Sequence, residues 1–304
     1  MRFFYYFCSV KQKINYIISQ LRGYYPEEEL CELAYWIIEE STGMTRNDIL
    51  FGCKGTTKNA HVQEKLLNVD IESILDKLRA HVPIQYIFGH TLWMGLDLRV
   101  TPATLIPRPE TAELVEWILR SVARDTHTRV VDIGTGSGCI AIALKQRAPL
   151  WQVTGVDISE EALAVAQENA LRNHVEVSWQ QADILSDEVM RRLGDEAKGE
   201  RRWDIIVSNP PYICEKEKKD MEARVLDYEP HSALFVPDTD PLLFYRKIAT
   251  LSAKSEGKLY LFFEINEAYG SEVCAMLREM GYTDVELKHD MYGKARMVRG
   301  RIAH

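Results

Sequence analysis

The stretch Asp132-Ile133-Gly134-Thr135-Gly136-Ser137-Gly138 decides the fold class of this chain. The apolar run Val130–Ile133 that leads into the glycines is typical of a buried strand, and residues 139–147 after them have the composition of a helix. Glycines let the backbone turn tightly and let a ligand approach the main chain, while a helix N-terminus presents free N–H groups. The sequence therefore predicts a ligand-binding loop between a strand and a helix.

Strand-like and helix-like segments alternate on the C-terminal side of this loop. A helix capped by Ser159 is predicted after the second strand. Further strands are predicted at Val153–Asp157, Val175–Trp179, Asp204–Val207 and Lys258–Glu264. This alternation is typical of a doubly wound, mostly parallel sheet, in which ligands bind at the carboxyl ends of the strands. We predict an α/β fold of the Rossmann-like type.

The N-terminal part of the chain has a helical pattern instead. One helix face is marked by Leu30, Leu33, Ala34, Ile37 and Ile38. The pattern changes near Pro83, and Thr91–Val100 is predicted to form a β-hairpin with Gly95 near its turn. The predicted organisation is a helical domain over 1–84, a hairpin linker over 85–104 and the α/β domain over 105–304.

Composition and charge limit the function classes. The 304 residues include 37 Lys and Arg against 45 Asp and Glu, a net charge of -8, which argues against a nucleic-acid backbone as the main partner. The six cysteines show no C-x-x-C spacing, so neither a metal site nor a redox motif is predicted. No apolar run approaches the roughly 20 residues of a membrane span. The short N-terminal apolar run lacks a signal-peptide cleavage site. We expect a cytoplasmic protein.

The glycine spacing distinguishes between nucleotide cofactors. A dinucleotide loop has the pattern G-x-G-x-x-G, and Cys139 stands where the third glycine would be. Asp132 would repel a phosphate but would suit a ligand with a free ammonium group, as in S-adenosylmethionine. Asp157 ends the next strand, where a carboxylate can accept hydrogen bonds from both ribose hydroxyls. The predicted S-adenosylmethionine site contains Gly134, Thr135, Gly136, Ser137, Gly138 and Asp157.

A second motif, Asn209-Pro210-Pro211-Tyr212, follows the predicted strand Asp204–Val207. A rigid turn would explain the two prolines but not the polar and aromatic residues beside them. A planar nitrogen is a poor nucleophile because its lone pair is delocalised. The Asn209 side-chain oxygen and a proline carbonyl would each accept one N–H of such a group and aim its nitrogen at a methyl donor. Tyr212 would stack on the planar group, and the acidic methylated cation would need no general base.

Further segments extend the match to a known family. The Asn-Pro-Pro-Tyr motif is shared by adenine-N6 DNA methyltransferases and by the PrmC (HemK) protein-glutamine methyltransferases. The segments Pro83–Gly89, Leu105–Thr111 and Tyr228–Pro230 are similar to signatures of the second family. From about residue 10 onward, the chain therefore resembles the PrmC (HemK) family.

The resemblance implies a class I S-adenosylmethionine methyltransferase domain with a helical N-terminal domain that helps to dock the substrate. The implied substrate is the glutamine of the Gly-Gly-Gln motif in class I peptide chain release factors, methylated on its side-chain nitrogen. By matching positions, Asn209 would touch both cofactor and substrate, while Pro210, Pro211 and Tyr212 would contact the glutamine. Asn209, Pro210 and Tyr212 would be the catalytic residues. Asp183 and Ile184 would complete the cofactor site, with Asp183 bonding the adenine amino group.

Three positions depart from the family pattern. Ile184 stands where an aromatic residue often follows the carboxylate, and Asn266 stands where the family usually has glycine. Ala112 replaces a common glutamate. We interpret Arg108 and Glu110 as structural or cofactor-side residues rather than catalytic ones.

Other candidate residues have simpler interpretations. His90 and His231 have no Ser, Cys or metal-ligating residue at a spacing typical of a catalytic or metal site, so we predict structural roles for them. The segment Glu215–Lys219 is predicted to be exposed and mobile beside the site, in the position of a lid. The basic residues between 294 and 301 are predicted to lie on a solvated final strand.

Two alternatives stay open at this point. An adenine-N6 DNA methyltransferase fits the Asn209–Tyr212 motif, but the acidic charge and the lack of an evident basic recognition domain oppose it. A non-catalytic nucleotide-binding scaffold or an NAD-linked protein fits the glycine loop, although Cys139 opposes the NAD form. Methyl transfer to duplex DNA, and calorimetry with NAD and S-adenosylmethionine, would separate them.

Overall fold

A computed structural model describes residues 2–51, 69–186, 203–252 and 258–302, and for 2–9 and 251–252 it describes the backbone alone. Two compact units are present, Met1–Phe88 and Gly89–His304. The hairpin belongs to the second unit, and the division into three parts inferred from the sequence stays a prediction. Among the described residues, no helix combines the length and the apolar character that a membrane crossing requires.

The first unit is helical in its described part. Its helices are α1 (Arg2–Leu21), α2 (Glu27–Thr42), α3 (Arg46–Phe51), α4 (Ile71–Arg79) and α5 (Ile84–Phe88). Helix α2 ends at Gly43, which adopts the left-handed conformation with φ of 71°. The predicted stripe on α2 is buried and packs with Ile17 of α1 and with Leu75 and Leu78 of α4. The amphipathic pattern of α2 is therefore confirmed.

The second unit begins with the predicted hairpin, formed by β1 (His90–Trp93) and β2 (Leu96–Arg99). Met94 and Gly95 connect the strands, and both have positive φ, 51° and 83°. Two successive positive φ values are the requirement of a tight two-residue hairpin turn whose twist matches the strands. Gly95 therefore lies in the turn, as predicted.

The rest of the second unit alternates strands with helices. In chain order these elements are α6 (Pro109–Ser121), β3 (Arg129–Ile133), α7 (Cys139–Arg147), β4 (Gln152–Asp157), α8 (Glu160–Arg172), β5 (Ser178–Gln181), β6 (Ile205–Ser208), β7 (Ile213–Cys214), α9 (Ala223–Leu226), α10 (His231–Leu234), β8 (Phe235–Val236), α11 (Leu243–Ser252), β9 (Leu259–Glu264), α12 (Gly270–Glu279), β10 (Thr283–His289) and β11 (Ala295–Ile302). Short 3-10 helices lie at Glu215–Asp220 and Glu267–Tyr269. The Ser159 cap is confirmed, because its hydroxyl accepts the Ala162 N–H at 3.1 Å.

Seven strands form one sheet in the order β10-β11-β9-β6-β3-β4-β5. The five strands from β9 to β5 are parallel to their neighbours, and β11 is antiparallel to both β9 and β10. From β3 the chain order runs outward to β5 on one side and through β6 to β9 on the other. The carboxyl ends of β3 and β6 therefore border the topological switch point, where α/β sheets bind ligands. The α/β fold class is confirmed.

Both faces of the sheet are buried, which explains the continuous apolar runs of its strands. Val130, Ile205 and Phe262 share one core with the apolar residues of α6 and α7. The neighbouring residues Val131 and Ile206 point to the other face, where α11 and α12 cover them. Alternate residues of the central strands β3, β6 and β9 thus fill two separate cores, and the ends of these strands carry the polar side chains.

Two boundaries differ from the sequence-based expectation. Strand β5 begins at Ser178 rather than at Val175, because the Val175 N–H still bonds Ala170 at the end of α8. Strand β11 is the last strand of the chain, but it is not a solvated edge strand, since it lies between β9 and β10. Its arginines Arg299 and Arg301 are half-buried and pair with carboxylates of β10. The predicted strand is therefore confirmed, whereas the predicted exposure of Arg299 and Arg301 was wrong.

Candidate active site

A cavity of about 350 Å³ opens at the carboxyl ends of β3, β4 and β6. This volume lies in the range of small-molecule and cofactor sites. It brings together most of the predicted site residues: Gly134, Thr135, Gly136, Ser137, Asp157, Asp183, Ile184, Asn209, Pro210 and Pro211. Gly138 and Tyr212 are not among the residues that line it, so the predicted direct contacts of these two with a ligand stay predictions. The two sequence motifs therefore face one cavity, although about 70 residues separate them along the chain.

The glycine loop is held against the end of β4. The N–H groups of Gly134 and Thr135 donate to the Val156 carbonyl at 2.8 and 3.0 Å. Gly134, Gly136 and Gly138 have φ values of 71°, 54° and 79°, a region that favours glycine. Helix α7 begins directly after Gly138. The loop therefore presents backbone, not side chains, to the cavity.

Asp132 supports this loop from below and does not line the cavity. Its side chain is fully buried, and its Oδ2 accepts the Thr135 hydroxyl at 2.6 Å. Its Oδ1 has no hydrogen-bond partner among the described residues. Burial raises the pKa of Asp132 to about 7. A buried acidic group with an unused acceptor beneath the loop fits a cationic ligand and opposes a phosphate.

Asp157 connects the end of β4 to the glycine loop. One carboxylate oxygen accepts the Gly136 N–H at 2.8 Å, and the other accepts the Ser159 N–H at 3.0 Å. A carboxylate has about four acceptor sites, so two bonds leave capacity for hydroxyl groups of a ligand. Burial raises the pKa of Asp157. The arrangement fits a ribose that lies over the strand end.

Asp183 and Ile184 form another wall of the same cavity. The Asp183 carboxylate accepts the Leu185 N–H at 2.8 Å, which fixes the turn after β5. Ile184 lines the cavity with an aliphatic side chain where the family often has an aromatic ring. Ile184 therefore gives this wall an apolar patch without an aromatic ring, and a flat base would gain dispersion contacts there.

The second motif is positioned by the end of β6. The Ser208 hydroxyl donates to the Ile133 carbonyl at 2.6 Å and so joins β6 to the strand that carries the glycine loop. Asn209 Nδ2 donates to Thr111 Oγ1 over 3.4 Å. Among the described residues, no donor contacts Asn209 Oδ1. The amide oxygen is therefore the group that Asn209 can offer to a ligand.

A buried carboxylate, Glu264, lies behind the motif at the end of β9. Its two oxygens accept the Thr111 hydroxyl at 2.6 Å and the Tyr212 hydroxyl at 3.2 Å. Burial raises the pKa of Glu264, and burial beside this carboxylate also raises the pKa of Tyr212. Tyr212 therefore stays protonated as a donor. Sequence analysis missed both Glu264 and Thr111, although Glu264 ends a predicted strand at the edge where the other site residues meet.

Arg108 lines the cavity and forms an ion pair with a buried carboxylate. Its guanidinium contacts Glu229 at 2.5 Å, and the Glu229 side chain is only 1% exposed. The second Glu229 oxygen accepts the Ile106 N–H at 3.2 Å, and Trp93 Nε1 donates to the Arg108 carbonyl at 2.8 Å. Glu110 lies in the first turn of α6, where a negative charge is favourable. These contacts fit a structural role for the segment that precedes α6.

Asn266 makes contacts that the usual glycine cannot make. Its Nδ2 donates to the Tyr212 carbonyl at 3.1 Å and to the Glu217 carboxylate at 3.1 Å. Its Oδ1 accepts the Ala268 N–H at 2.9 Å. Glu217 belongs to the 3-10 helix Glu215–Asp220 and also accepts the Cys214 N–H. The predicted mobile segment is thus an anchored 3-10 helix, and the structure gives no support for a lid.

We expect Asn266→Ala to lower the free energy of unfolding by about 1–2 kcal/mol, because the half-buried Tyr212 carbonyl and Glu217 carboxylate lose a donor. Asn266→Asp keeps the acceptor for the Ala268 N–H but removes the donor and repels Glu217. It should therefore lower the free energy of unfolding by at least as much. Denaturant unfolding of both variants checks this. An aspartate variant as stable as the parent would contradict the proposed tie to Tyr212.

The two histidines make structural contacts. His90 Nδ1 lies 3.0 Å from an Asp97 carboxylate oxygen across the hairpin. His231 Nε2 lies 2.8 Å from the Leu226 carbonyl, and its ring packs edge-on against Phe235. Neither ring is among the residues that line the cavity. The structural interpretation of both fits these contacts.

Comparison with known proteins agrees with the fold and the cavity. The family described as "Methyltransferase small domain" matches residues 114–228. The catalytic domain of human METTL16, solved with a hairpin of the MAT2A 3′UTR, aligns with a TM-score of 0.52 at 14% identity, over 78% of this chain and 93% of that one. Fold and site together define a Rossmann-like methyltransferase that uses S-adenosylmethionine.

Full-length relatives identify the family. A protein of Bacteroides thetaiotaomicron named release factor glutamine methyltransferase is 44% identical over 286 residues, which are 93% of this chain and 96% of that protein. A protein of the same name from Flavobacterium psychrophilum is 39% identical over 299 residues, 95% of this chain and 98% of that protein. The chain belongs to the release factor glutamine methyltransferase family.

Proposed function

We propose that this chain methylates the side-chain amide nitrogen of the glutamine in the Gly-Gly-Gln motif of class I peptide chain release factors. The observation that carries the proposal is the orientation of Asn209. Its Nδ2 is held by Thr111, and its Oδ1 has no donor among the described residues of a cavity that also contains the glycine loop. An acceptor beside a methyl-donor site suits a substrate with N–H groups. The names of the full-length relatives support the same substrate.

The glycine-loop side of the cavity would bind S-adenosylmethionine, which supplies an electrophilic methyl group. Backbone groups of Gly134–Gly138 would hold its amino-acid portion, above the buried Asp132. Asp157 would accept the ribose hydroxyls. Asp183 and Ile184 would contact the adenine, the first by a hydrogen bond and the second by apolar packing.

The substrate part assigns the remaining wall to the glutamine. Asn209 Oδ1 and the Pro210 carbonyl would accept the two N–H groups of the amide, which orients the nitrogen and stabilises the positive charge that develops on it. Pro211, which lines this wall, would pack against the planar amide, and Tyr212, which is outside the lining and is held by Glu264, would support the motif. S-adenosylmethionine held in the cavity would supply the methyl group from its sulfonium, and the methylated nitrogen would release one proton to water, so no side chain would be needed as a base.

The proposal includes a protein partner and a cytoplasmic site of action. The net charge of -8 is unfavourable for stable association with a phosphate backbone. A release factor brings its own Gly-Gly-Gln loop, so the enzyme needs a pocket for one side chain and not a nucleic-acid groove. The Asn-Pro-Pro-Tyr motif alone would also serve an adenine amino group, but the family of the chain favours the glutamine.

Methyl transfer from labelled S-adenosylmethionine tests the proposal. The full chain is incubated separately with three substrates. These are a class I release factor, the same release factor with its Gly-Gly-Gln glutamine replaced by alanine, and duplex DNA. We expect label on the parent release factor only, at that glutamine. Equal labelling of the alanine variant would contradict the substrate, and labelling of DNA would instead support an adenine-N6 methyltransferase.

A further inference from the structure

Glu264 is a buried carboxylate that the proposed reaction does not use. It is 1% exposed at the end of β9, and burial of a charge is unfavourable unless hydrogen bonds compensate it. The two hydroxyl donors that compensate it come from Thr111 on α6 and from Tyr212 of the second motif. Both donors therefore lie beside the residues proposed to bind the substrate amide.

The direction of the hydrogen bonds gives Glu264 an effect on Asn209. The Thr111 hydroxyl has one proton, and it donates that proton to Glu264 at 2.6 Å. Its lone pairs are then left to accept from Asn209, which places Nδ2 toward Thr111 at 3.4 Å. The Asn209 oxygen must point the other way. If Thr111 donated to Asn209 instead, the amide would turn its own NH2 toward the substrate, and two donors would face each other.

We propose that Glu264 is a positioning residue of the methyl-transfer site. Through Thr111 it makes Asn209 present an acceptor, and through its other oxygen it holds the Tyr212 hydroxyl. The hydrogen bonds to Thr111 and to Tyr212, called the two arms below, start from the two oxygens of one carboxylate. They therefore also fix the spacing between the Asn209 amide and the Tyr212 ring. This inference rests on the proposed function, because it concerns how the same amide is held.

The test begins with the arm to Asn209. Thr111→Val preserves the shape of the side chain and removes the hydroxyl, whereas Thr111→Ser keeps the hydroxyl. We expect the valine variant to lower kcat for release-factor methylation by about 10- to 100-fold, because misorientation of a positioning group has effects of this order. KM for the release factor and calorimetric affinity for S-adenosylmethionine should change by no more than about twofold, since kcat reports the orientation and the glycine loop is untouched. The serine variant should restore most of kcat.

Thr128→Val is the matched control for burying a valine in place of a threonine. Thr128 is 4% exposed, and its hydroxyl bonds Thr126 just before the amino end of β3, the end opposite the cavity. We expect it to leave kcat unchanged. Equal kcat for Thr111→Val and Thr128→Val would overturn the proposal. A loss of kcat in Thr111→Val that serine fails to restore would also overturn it, since the hydroxyl would then not be the active element.

Glu264→Leu provides an independent measurement of the same arm. Leucine has no acceptor oxygen, so the arm to Thr111 is lost together with the arm to Tyr212, and kcat of the double variant with Thr111→Val should fall by less than the sum of the two single effects. Additive effects would show separate roles and overturn the proposal. If the parent enzyme itself labels no release factor, the proposed function fails instead, and the two failures are thereby distinguished.

Discussion

Replacement of Asn209 by alanine is expected to lower kcat for release-factor methylation by about 100- to 1000-fold. The change removes the acceptor that aligns the substrate amide and stabilises its developing charge, and single preorganised groups of this kind have effects of that order. The glycine loop and Asp157 are untouched, so affinity for S-adenosylmethionine should fall by about tenfold at most. Initial rates at saturating substrates and calorimetry with the cofactor check the two parts separately.

Asn173→Ala is the matched control for this truncation. Asn173 follows α8 and binds the hairpin backbone through Asp97, with bonds of 3.2 and 2.9 Å. Its loss should lower the melting temperature but leave kcat near the parent value. If Asn209→Ala retained kcat, or if Asn173→Ala lowered kcat by a similar factor, then the proposed role of Asn209 would be wrong.

The parts of the site that follow from local sequence were predictable. The glycines of the loop Asp132–Gly138 predict its conformation, because glycine adopts positive φ values without steric cost and three of them have such values here. The Ser159 cap and the Met94–Gly95 turn are equally local. Each of these features depends on residues within a few positions of one another, so one sequence contains the necessary information.

The partners of Asn209 were not predictable in this way. Thr111 and Glu264 are 153 positions apart and meet only because β9 pairs with β6, which places the end of β9 beside the second motif. No pattern in a single sequence states which strands are neighbours. The same reason explains the error on β11: its position between β9 and β10 is a property of the sheet order.

The role of Asn266 could not be predicted from the sequence for a different reason. Compared with the family pattern, it is only a departure from glycine, which suggests a weakened turn. In the structure its amide reaches Tyr212 and Glu217, so the departure adds hydrogen bonds behind the motif. The contribution of such a residue depends on where its side chain points, and a turn residue has no periodicity that would indicate this.

The largest stability effect is expected from Gly138→Ala. A methyl group at this position would lie 2.9 Å from Trp179, 3.0 Å from Ala166 and 3.1 Å from Ile142. Trp179 cannot move easily, because its ring already packs on Gly155, where an added Cβ would lie 2.4 Å away. Positive φ costs about 1–2 kcal/mol for a non-glycine residue, and overpacking adds about 1–3 kcal/mol. We expect a total loss of about 2–5 kcal/mol.

Gly281→Ala separates the two contributions. Gly281 has φ of 90°, and an added methyl group there would meet nothing within 4 Å, so this variant carries the backbone strain alone. Denaturant unfolding should therefore show a loss of about 1–2 kcal/mol for Gly281→Ala and a clearly larger loss for Gly138→Ala. Only Gly138→Ala should also weaken binding of S-adenosylmethionine, because it displaces the start of α7 and the loop in front of it. Equal losses of unfolding free energy in the two variants would mean that Trp179 moves away from the added methyl group. Close packing beneath the glycine loop would then not set the position of the loop.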